Sequence, residues 1–367
     1  MCFTCPGAGR PRTGHGPSGR WGWATTPSSG HGSWTPCVRW GTGAPSAWNT
    51  KTLSSTPWTG WRGLWNCFAP VCPGSSPVRK SHVLNGCRIR GYWVRYRLLV
   101  TDVDGTLLPA DRKLPAAVRQ AVRAAQARGV RVCLATGRMW RSVRPYLEAV
   151  GADSPVILYN GAVVYDFEAD RVVERRTLDP QGVRAALEVL REFPDVRPHL
   201  FADDRVYVDR QDAQSRAYLE RDGITAEEVG DLLECLPPEP IKVLVVGDPD
   251  RLAVLDTELA RRAPQVRRVF SERNFLEVLP AGVSKGSALQ RVCALLGVPP
   301  ERVVAVGDNP NDLEMLQAAG LGVAVSNAHP MLRAAAAYVT RAGPGEAIVE
   351  VVDRFLLDGQ TRESEGR

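Results

Sequence analysis

The stretch LLVTDVDGTLLP, residues 98–109, ends a short apolar run in two aspartates, Asp102 and Asp104, followed by Gly105. Strands avoid Asp, and an unpaired buried carboxylate is costly. Two of them one residue apart call for a cation, a proton-sharing task, or both. Three further segments have residue types that could join such chemistry. ATGR supplies Thr136 and Gly137, VSKG supplies Lys285, and GDNPND supplies Asp308, Asn311 and Asp312. A hydroxyl, a backbone N–H, an ammonium and more carboxylates make a set suited to an anionic substrate held beside a hard cation.

The elements that must position them follow from local pattern. RYRLLVTD reads as a strand. LPAAVRQAVRAAQARG reads as a helix, with Pro115 near its first turn and Gly129 as its stop. VRVCLATG is a second strand and MWRSVRPYLEAVG a helix perturbed at Pro145; PVILYNGAVVYD is a third strand with a hairpin. Near the C-terminus SKGSALQRVCALLG is an amphipathic helix with Ala288, Leu289, Val292, Leu295 and Leu296 on one face. It is followed by the strand VVAVGD, the helix LEMLQAAG, the strand LGVAVSN, the helix MLRAAAAY, the strand-like YVT and the helix EAIVEVVDRFLL. Alternating strands and helices predict a Rossmann-like parallel sheet, in which ligands gather at the C-terminal strand ends. The candidate residues fall there.

Between about 179 and 278 the pattern loosens into the short strands HLFADDRVYVD, IKVLVVGD and NFLEVLP and the helices QGVRAALEVLREF and RLAVLDTELARR. Its GDPD, 247–250, reads as a turn with an N-capping Asp. The fold class is therefore α/β, with core segments 94–178 and 279–367 and an inserted α/β domain at 179–278.

Taken in this order, DVDGT, ATGR, the lysine of VSKG and GDNPND resemble the haloacid dehalogenase superfamily of phosphotransferases. NGAVVYD, the VSKGSAL helix start and VAVSNAHP are similar to its Cof-type phosphatases of small metabolites. The resemblance runs from about Val94 to Leu357. Elementary chemistry agrees with it. Phosphate monoesters hydrolyse very slowly unaided, and a carboxylate nucleophile splits the barrier in two. Asp102 suits that role, being ionised near neutral pH without a helper base. Attack of an anion on a phosphate dianion needs a cation between them, for which Mg2+ with oxygen ligands is apt. Asp102 and Asp308 are candidate metal ligands, together, as the family implies, with the backbone carbonyl of Asp104.

Asp104 is positioned to be the acid for the leaving group and then the base for water. Val103 N–H, the Thr136 hydroxyl, Gly137 N–H and Lys285 are candidate phosphate contacts. The resemblance adds Asn311 to them, and gives Asp312 a supporting place behind the metal. Only 34 residues separate Asp102 from Thr136, but 149 separate Thr136 from Lys285. The insertion is thus expected to be a cap that closes over the site and selects the leaving group. Within it His199, Tyr207 and Arg210, and beside the second motif Arg138 and Trp140, are candidates to face the substrate. Two competing readings are a sugar phosphomutase and a non-catalytic phosphate sensor. Retention of Asp102, Asp104 and Asp308 speaks against the sensor, and the GDNPND loop against the mutase.

Charge and composition divide the chain sharply. Residues 1–101 contain 12 Lys or Arg and no Asp or Glu, leaving 34 basic and 40 acidic residues after them. Nine of ten Trp and six of nine Cys lie before residue 94. Cys2, Cys5 and their neighbours show no repeated metal-site spacing. Residues 1–93, which lack aliphatic periodicity, are read as a disordered or non-native extension, with native synthesis beginning at Val94. The mildly acidic remainder predicts no nucleic-acid partner. No apolar run is long enough to span a membrane. Cys133, Cys235 and Cys293 read as buried small hydrophobes in a reducing compartment. A cytoplasmic protein, monomeric or weakly self-associating, acting on a small phosphorylated metabolite is expected.

Overall fold

All four residues of Leu98–Thr101 (β3) are buried. A run that is apolar on both faces belongs at the centre of a parallel sheet covered by helices, and β3 lies there. The structure is a computed structural model that describes residues 87–89 and 92–357. Ahead of β3, Cys87–Ile89 (β1) and Tyr92–Val94 (β2) pair as an antiparallel hairpin. That hairpin falls at the end of the stretch for which no regular element is expected; residues 1–86 lie outside the described residues.

After β3 the chain alternates as predicted. Ala116–Ala127 (α1) starts behind Pro115 and buries Val118, Ala121, Val122 and Ala125, one face at helical spacing. Gly129 follows it at φ 81°. Arg131–Leu134 (β4) leads to Trp140–Val150 (α2), which carries Pro145 within it and stops at left-handed Gly151. Val156–Leu158 (β5), Val163–Asp166 (β6) and Arg171–Arg175 (β7) form an antiparallel sheet in that order.

Next come Pro180–Leu190 (α3), Arg197–Ala202 (β8), Arg205–Val208 (β9), Ala213–Asp222 (α4) and Glu227–Glu228 (β10). Lys242–Val246 (β11), Pro249–Arg262 (α5), Arg267–Glu272 (β12) and Phe275–Leu279 (β13) follow. Lys285–Leu296 (α6), Val303–Gly307 (β14), Leu313–Ala318 (α7) and Leu321–Ala324 (β15) resume the first pattern. Pro330–Ala335 (α8), Tyr338–Val339 (β16) and Glu346–Val351 (α9) lead into a π-helical end, Val352–Leu357.

Strands β16-β15-β14-β3-β4 make a parallel sheet, with Leu98 opposite both Val303 and Arg131. A single parallel bridge, Ala135 to Ile157, hands this sheet on to β5. A second sheet, β10-β9-β8-β11-β13-β12, is built wholly from residues 197–279. Its strands alternate cleanly. Val243, Val245, Leu276 and Val278 pack under α3 and α5 with Val183, Leu187, Leu255 and Leu259. Lys242, Leu244 and Glu277 take the opposite face, where Leu244 also joins the cluster around the parallel sheet.

Several local expectations are corrected. Neither α4 nor β12 is expected from the sequence: α4 has a weak apolar stripe, and every residue of β12 is only half-buried. HLFADDRVYVD is two strands joined through left-handed Asp203 and Asp204. Leu295 is half-exposed and Cys293 takes its place on the buried face of α6. Cys235 is exposed, whereas Cys133 and Cys293 are buried as expected. Asp248 does cap α5, accepting from the N–H groups of Asp250 and Arg251. Among the described residues no helix is long and apolar enough to cross a membrane.

Candidate active site

The site starts where β3 runs out. Asp102 N–H is still held by Val306 O of β14 at 2.9 Å, so its side chain leaves from a fixed backbone. The chain then turns at Gly105, with φ 78°. A Cβ there would lie 2.4 Å from Asp308 Oδ2, so the close approach of the first and last motifs requires glycine.

Lys285 is the first residue of α6. Ser284 caps that helix with a reciprocal pair of bonds to Ser287, which fixes the direction of the first turn. The Lys285 side chain is wholly buried, and its Nζ donates to Asp102 Oδ1 at 2.5 Å and to Asp312 Oδ1 at 2.7 Å. The other oxygen of Asp312 accepts from the N–H groups of Asp308 and Asn309 at 3.0 and 3.2 Å. Asp312 thereby shapes the loop that presents Asp308. Asp308 accepts from Thr106 Oγ1 at 3.0 Å and from Asn309 Nδ2 at 2.8 Å.

Oxygens of Asp102, Asp308 and Asp312 lie within 4.8 Å of one another. Burial raises Asp102 to about 7; Lys285 opposes the rise, and Asp312 and Asp104 add to it. Burial also holds Asp308 well above the usual carboxylate range, reinforced by Asp102 and Asp312. Burial alone would lower Lys285, but Asp102 and Asp312 outweigh it, so its ammonium stays charged. Three carboxylates share one ammonium, and the surplus is in hard oxygen donors. That donor set fits a small divalent cation. Because Asp312 is engaged by Lys285 and two backbone N–H groups, Asp102 and Asp308 are the freer ligands.

On the other side of the turn, Asp104 meets Arg138, which donates from Nε at 2.6 Å and from Nη2 at 2.7 Å. Arg112 approaches the same carboxylate at 3.3 Å. Burial pushes Asp104 up, but these guanidiniums prevail and hold it below the usual range. The hydroxyl oxygen of Thr136 accepts from Arg138 N–H at 3.1 Å, which leaves its own O–H to donate elsewhere. Gly137 sits against Asn160 and Glu277. Asn311 Nδ2 donates to Asn160 Oδ1 at 2.9 Å, while Asn311 Oδ1 and Asn160 Nδ2 are buried without partners among the described residues.

Asp102, Asp104, Thr136, Gly137 and Asn311 line one cavity, with Lys285, Asp308 and Asp312 bonded behind it. Its far wall comes from the six-stranded sheet and α4: Tyr218, Arg221, Asp222, Lys242, Ser271, Glu272, Phe275 and Glu277. Arg138 is on this cavity as proposed from the sequence, but Trp140 stacks on Tyr165 with ring centroids 4.4 Å apart, off the wall. The three insertion candidates are also elsewhere. His199 is buried against Ser215, Tyr207 packs on the helix-side cluster, and exposed Arg210 bonds Pro194 O. The residues overlooked, Lys242 and Glu277, did leave a signal: each is a lone charge inside an otherwise apolar strand, IKVLVV and FLEVL. In a strand of period two such a charge must face something polar.

A family model of haloacid dehalogenase-like hydrolases matches residues 99–352. The chain belongs to that family. The phosphoglycolate phosphatase of Methanothermobacter thermautotrophicus is 31% identical over 71% of this chain and 99% of its own length. The 5-amino-6-(5-phospho-D-ribitylamino)uracil phosphatase of Bacillus subtilis is 31% identical over 63% of this chain and 86% of its own. A solved haloacid dehalogenase-like hydrolase from Bacteroides thetaiotaomicron is 27% identical, with a TM-score of 0.63 over 71% of this chain and 99% of that one. This haloacid dehalogenase-like hydrolase is an enzyme of the phosphoric monoester hydrolase class.

Proposed function

We propose that the protein is a Mg2+-dependent phosphatase of small phosphorylated metabolites that works through an aspartyl phosphate on Asp102. One observation carries the reading: a wholly buried Lys285 is shared by Asp102 and Asp312, with Asp308 beside them, in a cluster that still has a surplus of carboxylate. Asp102, Asp308 and the backbone carbonyl of Asp104 are the residues to hold Mg2+, with Asp312 supporting from behind. When bound, Mg2+ would neutralise the repulsion between the nucleophile and the phosphate.

Asp102 attacks phosphorus, forming an O–P bond as the bond to the leaving oxygen breaks. Val103 and Gly137 N–H, the Thr136 hydroxyl, Lys285 and Asn311 hold the phosphate oxygens during that transfer. Once the Arg138 clamp opens and Asp104 takes a proton from solvent, Asp104 gives that proton to the departing alkoxide. It then takes one from the water that attacks the aspartyl phosphate, which restores both carboxyl groups. The Arg138 clamp favours Asp104 as a carboxylate, the form needed for that second step. Residues 179–278 act in this reading as the cap over the core segments 94–178 and 279–367, placing the far wall where the leaving group sits. The free cysteines 133, 235 and 293 suit a reducing, cytoplasmic setting.

Asp102→Asn tests the nucleophile. Phosphate release from p-nitrophenyl phosphate should fall on the order of 10⁴-fold or more, with the circular dichroism spectrum unchanged. Turnover near the native rate would sink the mechanism.

A further inference from the structure

We propose that the leaving group accepted by this site is uncharged and rich in hydroxyls, and that a substrate with a second anionic group is rejected. The inference rests on the phosphatase reading above and deepens it.

It comes from the charges on the wall opposite the catalytic motifs. Arg221, near the C-terminal end of α4, is bidentate to Glu272, with bonds of 2.8 and 2.9 Å, and also reaches Asp222 at 3.2 Å. Lys242 donates to Glu277 at 2.8 Å and to the carbonyl of Gly137 at 2.9 Å. Arg138, on the core side, is bidentate to Asp104. Each of the three cations on the cavity lining is thus already matched to a carboxylate among the described residues.

A carboxylate or second phosphate entering this space finds no spare positive charge on its lining among the described residues. To gain one it would have to draw Arg221 from Glu272 and Asp222, or Lys242 from Glu277, both nearly fully buried, leaving a carboxylate unpaired. Hydroxyls meet the opposite situation. Glu277 accepts one bond from Ser271 at 2.9 Å and one from Lys242, and a carboxylate has about four acceptor directions. Glu272 is partly exposed and has similar capacity. Alcohol groups can donate to these oxygens without breaking either ion pair. The distinction separates this wall's preference between the two activities named for its relatives. Phosphoglycolate carries a carboxylate besides its phosphate, whereas a ribityl chain is an uncharged polyol.

Glycerol 3-phosphate and 3-phosphoglycerate have the same three-carbon skeleton and differ by a carboxylate, so they isolate charge from size. With Mg2+ present, kcat/KM for glycerol 3-phosphate should exceed that for 3-phosphoglycerate on the order of 10²-fold. Glu277→Gln frees Lys242, and Glu272→Gln, at a more exposed position, leaves Arg221 its 3.2 Å contact with Asp222, a carboxylate also paired with Arg112, so positive charge is in surplus there. Each folded variant should narrow that ratio by about tenfold or more. The proposal is overturned if the wild type uses 3-phosphoglycerate as well as glycerol 3-phosphate. It is equally overturned if the ratio stays fixed in Glu272→Gln, whether or not Glu277→Gln folds. Failure to release phosphate from any ester, p-nitrophenyl phosphate included, would instead sink the phosphatase reading on which the proposal stands.

Discussion

Asp104 and Asp102 are two residues apart and chemically distinct because of what surrounds them. Asp102 is sunk beside other carboxylates with one ammonium, and Asp104 is gripped by two guanidiniums. From the sequence Asp102 is expected to be ionised near neutral pH unaided; the fold corrects this, raising Asp102 to about 7 by burial and holding Asp104 ionised, since Arg112 and Arg138 reach Asp104 only through the fold. The assignment predicts that Asp104→Asn slows turnover by about 10²–10⁴-fold while Mg2+ affinity, measured by calorimetry, stays within a few-fold. A collapse of metal affinity would contradict the use of the backbone carbonyl rather than the side chain. Lys285 shows the same divide. Its place after Ser284 is legible, yet an N-terminal helical lysine is ordinarily solvated, and only packing buries this one between Asp102 and Asp312.

At the scale of elements, the turn after β5 and the start of α6 are locked by one glycine. Gly161 has φ 102°, and a Cβ on it would lie 2.2 Å from Ser284 O. Gly161→Ala should cost ~3 kcal/mol in urea unfolding and lower kcat as well, because Ser284 sets the turn that aims Lys285. Loss of stability with full activity would show that the two elements are not coupled. In β8, His199 is buried with its Nδ1–H donated to Arg197 O and its Nε2 accepting from Ser215 Oγ–H at 2.8 Å. Burial pushes it down to about 4, because the neutral ring is the form that fits. Its contribution to stability is therefore complete above its unfolded value of about 6.5 and is lost as pH falls toward 4. Between pH 7 and 4.5 the loss should be about 2–3 kcal/mol. It would be read as the difference in pH dependence of urea unfolding between wild type and His199→Gln. Parallel pH profiles would disprove it.

Over the whole molecule, the candidate site residues are spread from Asp102 to Asp312 and meet because β3 and β14 are adjacent in the parallel sheet. Their meeting leaves an excess of buried negative charge, which a cation should relieve. Mg2+ at about 100-fold its Kd should stabilise the protein by about 3 kcal/mol, visible as a higher melting temperature that EDTA reverses. Asp308→Asn should remove most of that gain. An equal gain in the variant would place the ion elsewhere.

The sequence by itself determined the parallel core, the strand ends that carry the motifs and the residues on them, because a strand–loop–helix repeat is a local pattern and its loops have only one end at which to gather. The looser pattern at 179–278, with the 149-residue gap between Thr136 and Lys285, also led to the expectation of an α/β insertion there. Tertiary structure decided the rest. Strand β12 and helix α4 have little periodicity of their own and are defined by pairing with β13 and by covering the site. The far wall draws on Arg221, Lys242, Glu272 and Glu277, four positions scattered over 57 residues. No local pattern links them, and their charges become meaningful only when sheet register sets Glu277 opposite Leu244 and brings its face over Gly137. Chemistry that depends on a few consecutive residues is written in the sequence; selectivity that depends on which distant charges neutralise one another is settled by the fold.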